Sequence, residues 1–385
     1  MSTRVFDAIV VGAGSVGLPT ALALANAGMK PLVIDQFPAP GQGSNKAAIG
    51  GIRATHSSPA KIRLSLDSLR IFSSWKEEHG DEIEWQQNGY CFVAYTPREE
   101  KTLKDLLQVQ LRYGLNIRWL DAADLLEVVP ALQPEGLIGG TFSPEDGSAS
   151  PLLSSQGFYR AARRLGVEFR FGERVLGVIR RRGRIAGVRT QGGGYASETV
   201  INAGGAWARS LSQAAGIDVP VVPDSHEAGI TEPVAPFLRP MLVDIRPWPG
   251  AKNYYFYQHK PGSIVFCITP DPPIVGTDRR ETSSFLPTIA PHMVRLVPKL
   301  ANIKVRRTWR GLYPMTPDGS PIVGWSQEIE GYLHAVGMCG QGYMLGPGVG
   351  SLVARMVTRS LEAEDEEILQ ELSPYRRFAG EEALK

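Results

Sequence analysis

Residues 5–36 read VFDAIVVGAGSVGLPTALALANAGMKPLVIDQ, and this stretch decides how the fold begins. Its apolar residues predict a buried strand over Ala8–Val11, followed by a glycine-rich turn at Gly12–Gly17. An alanine- and leucine-rich helix then ends at Gly28, and a second apolar strand finishes on Asp35. The stretch therefore predicts a βαβ unit.

The residue types in this unit suit a bound dinucleotide. Gly12 permits a tight turn, Gly14 lets backbone N–H groups approach a pyrophosphate, and Gly17 lets the helix pack against the strand. The helix N-terminus adds partial positive charge, and Asp35 is placed to accept hydrogen bonds from an adenosine ribose. A βαβ unit with incidental glycines is the alternative, and the motif does not distinguish FAD from NAD. The predicted contacts are Gly12, Ala13, Gly14, Ser15, Val16, Gly17, Asp35 and Gln36.

Composition argues against several other classes of protein. The chain has 385 residues and a net charge of +2 with mixed signs, so nothing indicates nucleic acid or a membrane surface. Its three cysteines form no CxxC pair and its six histidines form no HxxxH, so we expect neither disulfides nor a metal site. With no signal peptide or long apolar run, a cytoplasmic location fits best.

Shifts in composition divide the rest of the chain. Residues 37–48 form a Pro/Gly-rich loop that suits wrapping around a ligand, an ordinary surface loop being the alternative. Pro59 to about His79 predicts a helix, and residues 83–144 have the character of a different module. Residues 219–310 are β-rich and Pro-rich, and glycine-rich segments return after them. The charged tail predicts a solvated helix with a loose end.

Several segments together resemble the D-amino-acid oxidase superfamily of FAD enzymes. The similarity is to sarcosine oxidases, to glycine oxidase, and to the β subunits of heterotetrameric sarcosine oxidase and L-proline dehydrogenase. It covers nearly the whole chain in order. The segments are GAGSVG (12–17) with Asp35, SNKAAIGGIR (44–53), VINAGGAWA (200–208), RGLYPMTPDGSPIVG (310–324) and GQGYMLGPGVG (340–350).

The resemblance implies an α/β fold with a Rossmann-like FAD-binding domain of the glutathione-reductase type. That domain is discontinuous, and we expect it to comprise residues 1–82, 145–218 and 310–385. Residues 83–144 and 219–309 would form a β-sheet substrate-binding domain over the flavin. The repeated glycine-rich segments favour FAD over NAD, because an NAD enzyme has no need of further returns to the nucleotide site.

The resemblance also implies further flavin contacts. Residues 340–345 open the last helix and would present backbone N–H groups to the flavin N1/C2=O edge, a packing turn being the alternative. The implied contacts are Ser44, Asn45, Lys46, Ala47, Ala48, Val175, Ala203, Gly204, Trp207, Gly311, Tyr313, Gly337, Gly340, Gln341, Gly342, Tyr343, Met344 and Leu345.

We expect the FAD to be non-covalent. Some relatives attach flavin to a cysteine after the Arg-Gly pair, where this chain has Leu312–Met315. Others use a histidine near the first glycine loop, where this chain has Asn45–Ala47. Residues 147–151, GSASP, lack the histidine that carries FMN in some β subunits, so FMN is not expected either.

The family reaction transfers a hydride from an amine or amino acid to flavin N5 and gives an imine. Arg53 aligns with the arginine that grips the substrate carboxylate in monomeric sarcosine oxidase, an arginine bound to flavin or to a backbone carbonyl being the alternative. Met344 replaces the second carboxylate ligand of that relative. Tyr255 and Tyr257 share one face of a strand, facing either the pocket or the core. His226 is either a polar pocket residue or a structural histidine.

The electron acceptor and partners follow from the same resemblance. Sarcosine oxidases use a lysine to activate oxygen, and here the matching strand, Ile264–Ile268, is wholly apolar. Lys46 and Lys260 are the only nearby alternatives by sequence, and neither matches, so a dehydrogenase is favoured over an oxidase.

Sarcosine, proline, glycine and D-amino acids remain alternative substrates. Two functions compete with this one: an FAD-dependent 2-hydroxy acid dehydrogenase, and a subunit that works with a partner in an electron-transfer complex. A homo-oligomer is also compatible with the sequence.

Overall fold

The computed structural model describes residues 5–380 and 382–384. Within these residues the strands are β1 Ala8–Val11, β2 Pro31–Asp35, β3 Gly51–Ile52, β4 Tyr90–Ala94, β5 Arg118–Asp121, β6 Gly139–Ser143, β7 Gly147–Ser148, β8 Glu168–Phe171, β9 Val175–Arg181, β10 Arg184–Thr190, β11 Gly194–Ala196, β12 Val200–Asn202, β13 Val222–Pro233, β14 Met241–Asp244, β15 Gly250–Gln258, β16 Ser263–Asp271, β17 Val305–Met315, β18 Ile322–Trp325 and β19 Tyr332–Val336. The α-helices are α1 Gly17–Asn26, α2 Pro59–His79, α3 Pro97–Arg112, α4 Ala122–Val128, α5 Pro151–Arg164, α6 Ala208–Ala214, α7 Phe285–Leu296, α8 Gly342–Thr358 and α9 Ala363–Glu371.

The opening stretch folds as the predicted βαβ unit. β1 lies between β2 and β12, both parallel to it, in a six-stranded sheet of order β18-β19-β12-β1-β2-β8. Every residue of β1 and β12 is buried, and α1 packs against α5 and α8. Because Gly12 follows β1 directly, the glycine-rich turn lies at the carboxyl ends of the parallel strands, where such sheets bind ligands.

A second, eight-stranded sheet has the order β17-β13-β16-β15-β14-β4-β6-β5. Its strands come from two parts of the chain, residues 83–144 and residues 219–315. The two groups of strands meet where β14 pairs in parallel with β4. The predicted α/β fold class is therefore confirmed. β17 crosses the predicted boundary at residue 310, because it pairs with β13 as far as Met315. The division into domains otherwise stays a prediction, and residues 1–4, 381 and 385 of the predicted FAD-binding segments lie outside the described residues.

Helix α2 confirms the prediction for Pro59–His79 and has clear end signals. Ser58 caps its N-terminus by accepting a hydrogen bond from the backbone N–H of Lys61, and Gly80 ends it in the left-handed conformation at φ 72°. The helix packs against α8 and α9. One residue of its buried face, Lys61, is a fully buried cation.

The predicted charged helix of the tail forms as α9, but the prediction of a loose end was wrong. Helix α9 packs on α2, with Ile368 and Leu372 buried, and the chain then returns to the protein interior. Glu382 forms a buried ion pair with Lys61, and Leu384 is fully buried in an apolar cluster. Most acidic side chains of α9 are exposed, but the segment after it is anchored in the interior through Glu382. Among the described helices, none is long and apolar enough to cross a membrane.

Candidate active site

A cavity of about 390 Å³ lies where the carboxyl ends of the first sheet meet the second sheet. Its wall combines the glycine-rich turn after β1, the loop after β2, and residues of β15, β16 and β17. Both sheets are therefore needed to form it. The βαβ unit lines one end of the cavity, and aromatic and charged side chains of the second sheet line the other end.

Most predicted cofactor contacts line this cavity. They are Gly12, Gly14, Ser15, Val16, Asp35, Gln36, Ser44, Asn45, Ala47, Ala48, Val175, Ala203, Gly204, Trp207, Gly311, Tyr313, Gly337, Gly340, Gln341, Gly342, Tyr343 and Met344. Four others lie behind the wall or point away from it: Ala13, Gly17, Lys46 and Leu345. Of the predicted substrate residues, Arg53, His226 and Tyr255 line the cavity and Tyr257 does not.

The three motif glycines have different physical roles. A Cβ on Gly12, whose φ is 113°, would lie 2.4 Å from the Ala203 carbonyl oxygen. A Cβ on Gly17 would lie 1.8 Å from the Gly12 carbonyl oxygen, so helix and strand approach as closely as the motif requires. A Cβ on Gly14 meets no atom within 4 Å. Gly14 lines the cavity and keeps that part of it open for a ligand.

Asp35 ends β2 on the cavity wall and is held by the backbone. Its Oδ2 accepts a hydrogen bond from Ala13 N at 2.7 Å, and its Oδ1 accepts one from Phe37 N at 2.8 Å. Burial raises the pKa of this carboxyl, and the two backbone donors counteract that rise. These bonds fix the carboxylate while leaving it acceptor capacity for a ribose.

Several buried polar atoms on the wall have no hydrogen-bond partner among the described residues. They are Ser44 Oγ, Asn45 Oδ1, His226 Nδ1 and Gln341 Nε2. Buried polar groups in proteins are nearly always paired, so unpaired ones along a cavity indicate a polar ligand. Together with the open space at Gly14, they fit a flavin dinucleotide.

Aromatic residues of the second sheet meet at the other end of the cavity. The hydroxyl groups of Tyr255 and Tyr313 are 2.9 Å apart, and the Tyr313 ring stacks on His226 with centroids 3.6 Å apart. His226 Nε2 lies 3.5 Å from Asp224 Oδ1. Burial raises the pKa of Tyr255 and Tyr313 well above the ordinary value. Both phenols therefore stay protonated and act as hydrogen-bonding groups rather than bases.

Arg53 and Tyr257 are both held by backbone oxygens. Arg53 is 6% exposed and donates to the carbonyls of Thr55 and Leu384, with its guanidinium 5.4 Å from the Phe92 ring centre. These bonds use only part of its five N–H groups, so donors remain for a ligand. Tyr257 shares a strand face with Tyr255, and its hydroxyl donates to the Ile49 carbonyl at 2.5 Å. This bond ties β15 to the loop after β2.

The sequence analysis missed several wall residues, of which Lys252 matters most. Lys46 and Lys260 are exposed and do not line the cavity, whereas Lys252 does. The register of β15 against β16 shifts between Ala251 and Asn253, so Lys252 is the extra residue of a bulge. A bulge leaves no signal in the sequence. The other missed residues include Tyr90, Phe92, Asp224, Thr269 and Cys339.

Comparisons with known proteins agree with the fold and the cavity. Residues 7–356 match the family model described as "DAO: FAD dependent oxidoreductase". The chain is 28% identical to hydrogen cyanide synthase subunit HcnC of Pseudomonas aeruginosa, covering 92% of this chain and 93% of that one. It is 28% identical to glycine oxidase of Geobacillus kaustophilus, covering 94% and 96%. The crystal structure of L-proline dehydrogenase from P. horikoshii matches with a TM-score of 0.91 at 30% identity, covering 97% and 98%.

The fold and the dinucleotide-type cavity define an FAD-dependent oxidoreductase. More particularly, the chain belongs to the DAO family of FAD-dependent oxidoreductases. The resemblance seen in the sequence is confirmed.

Proposed function

We propose that this protein oxidises an amino acid or a secondary amine of an amino acid, using FAD held without a covalent bond. The observation that carries the proposal is one cavity with a dinucleotide turn at one end and Arg53 and Tyr255 at the other. The similarity to glycine oxidase and L-proline dehydrogenase supports the same class of substrate. FAD supplies the acceptor for the hydride that leaves the carbon next to the substrate nitrogen, and water hydrolyses the resulting imine.

The residues of the chain divide the work of binding and orientation. In this proposal Arg53 binds the substrate carboxylate through its remaining N–H groups, and the Tyr255 hydroxyl hydrogen-bonds the substrate. The rings of Tyr90 and Phe92 exclude water from the same wall. Tyr257 holds the loop after β2 in place and takes no part in the reaction.

The proposal is tested by anaerobic titration of the yellow protein with sarcosine, proline, glycine and D-alanine. We expect at least one of them to bleach the flavin band, because the cavity would bring its C–H bond to the flavin. A 2-hydroxy acid such as lactate serves as the control from the competing class. If lactate bleaches the flavin and none of the amines does, the proposed substrate class is wrong.

We expect the reduced protein to reoxidise slowly in air and quickly with an artificial dye acceptor. The strand Ser263–Asp271 is buried over Ile264–Ile268 and presents no lysine to the cavity. Lys252 is the cation that the second sheet does bring to the wall. Stopped-flow mixing with oxygen measures the rate. Reoxidation as fast with oxygen as with the dye would contradict the dehydrogenase prediction, and a Lys252→Met variant would then show whether Lys252 is responsible.

Acid precipitation is expected to release the flavin into the supernatant. The Leu312–Met315 segment and Asn45 line the cavity without offering a cysteine or histidine for attachment. The Cys339 thiol lies on the wall, donates to the Gly337 carbonyl at 3.1 Å and accepts from the Thr316 backbone N–H at 3.4 Å. A yellow pellet would contradict non-covalent binding. In that case a Cys339→Ala variant would tell whether this thiol had formed the bond.

A second function is a subunit that works only within a larger complex. The observation that favours it is the similarity to HcnC, which is named as a subunit of hydrogen cyanide synthase. Turnover with a dye by the isolated chain would favour the independent enzyme. Substrate reduction without turnover, restored by a co-expressed partner, would favour the subunit. A cytoplasmic location remains part of the proposal.

A further inference from the structure

Gln341 lies immediately before helix α8 on the wall of the cavity and is 4% exposed. Its side-chain oxygen, Oε1, lies 3.2 Å from Lys61 Nζ. The same ammonium group donates to the Gly319 carbonyl at 3.1 Å, and Lys61 is fully buried. Two parts of the chain that are 280 residues apart are therefore joined by one hydrogen bond.

This contact fixes which way the Gln341 amide points. An ammonium group has three donors and no acceptor, so only the oxygen of an amide can face it. The amide nitrogen must then lie on the other side. Gln341 Nε2 is buried and has no hydrogen-bond partner among the described residues. Gln341 lines the cavity, so a ligand bound there can supply the partner that this N–H₂ group lacks.

Glu382 holds the cation that orients this amide. Its carboxylate forms the ion pair with Lys61, and it also accepts hydrogen bonds from the backbone N–H at 3.0 Å and the hydroxyl of Ser57. A lone buried charge would cost several kcal/mol, so the pairing is what permits an ammonium group at this site. The tail segment, helix α2 and the start of α8 form one connected unit.

We propose that Lys61 and Glu382 are positioning residues that direct the Gln341 N–H₂ group onto an acceptor atom of the flavin pyrimidine ring. The inference rests on the proposed placement of FAD in the cavity. The pyrimidine edge gains electron density when flavin is reduced, so a fixed donor there stabilises the reduced form more than the oxidised form. Lys61 and Glu382 therefore raise the reduction potential without touching the flavin.

Three variants test this arrangement. Gln341→Met removes the N–H₂ group without adding charge, and Lys61→Met with Glu382→Gln removes the ammonium group together with its counter-charge. Glu371→Gln is the matched control, because Glu371 also binds the start of α2, accepting from Ser58 Oγ and Ala60 N, without contacting Gln341. Each protein is examined for FAD content, thermal unfolding and midpoint potential against reference dyes.

We expect Gln341→Met and the double variant to favour oxidised flavin at least tenfold more than the wild type. For a two-electron couple this is a fall of about 30 mV in midpoint potential. Glu371→Gln should leave the potential unchanged. An unchanged potential in Gln341→Met with FAD bound would overturn the inference while leaving the proposed function intact. If the double variant fails to fold, Gln341→Met still decides the matter. Wild-type protein that binds no FAD would instead overturn the proposed function itself.

Discussion

Replacing Gly14 by aspartate is expected to weaken FAD binding at least 100-fold, or by about 2.8 kcal/mol, while leaving the chain folded. An added Cβ at this position meets no atom within 4 Å, and the Gly14 backbone has no positive φ. The chain therefore accommodates the side chain. The new carboxylate would lie at the turn that approaches the pyrophosphate, where it repels the phosphates and blocks their approach.

The control for this variant is Gly194→Asp. Gly194 is exposed on β11, does not line the cavity, and also has no positive φ. Flavin absorbance after purification and far-UV circular dichroism measure binding and folding separately. Gly14→Asp should be colourless and folded, and Gly194→Asp should be yellow and folded. A yellow Gly14→Asp protein with undiminished FAD affinity would show that the pyrophosphate lies elsewhere. Gly17→Ala makes a useful contrast, because its Cβ would lie 1.8 Å from a backbone oxygen and we expect misfolding.

Replacing Arg53 by methionine is expected to lower kcat/KM for an amino-acid substrate about 100-fold, equivalent to about 2.8 kcal/mol. The physical reason is the loss of a buried guanidinium group that pairs with the substrate carboxylate in our proposal. Most of the loss should come from KM. An amine that lacks the carboxylate should be oxidised equally well, or equally poorly, by variant and wild type.

Arg118→Met is the matched control for the loss of an arginine–phenylalanine contact. The Arg118 guanidinium lies 5.5 Å from the Phe142 ring centre, compared with 5.4 Å for Arg53 and Phe92, but Arg118 is exposed and away from the cavity. Its replacement should leave kcat/KM unchanged. If Arg53→Met slows oxidation of the amine and the amino acid by the same factor, Arg53 serves only to hold the Thr55 and Leu384 carbonyls.

The sequence predicted the features that depend on local pattern. The opening βαβ unit and the helix Pro59–His79 follow from glycine positions and apolar periodicity, which neighbouring residues determine. The family resemblance then supplied the order of the segments and implied the wall residues around Gln341. These features needed no knowledge of distant contacts.

Other features depended on contacts between distant residues. The charged tail predicted a solvated helix with a loose end. Glu382 is nevertheless buried, because it forms an ion pair with Lys61 inside the protein. Lys252 reaches the cavity through a bulge that only strand pairing reveals. Tyr257 shares a face with Tyr255, but its hydroxyl is already bound to Ile49. In each case the deciding partner lies far away along the chain.

The path of β17 has a consequence for how substrate enters. This strand pairs with β13 from Val305 to Met315, and its final residues, Gly311 to Met315, also form the wall of the flavin cavity. Because β13 and β17 belong to the same sheet, swinging the second sheet away as a rigid body would carry Tyr313 and its neighbours on β17 out of the cavity wall. Such a motion would dismantle one wall of the flavin cavity. We therefore expect substrate to enter through smaller movements of the loops at the cavity rim, and mutations that stiffen those loops should slow entry without altering the bound geometry.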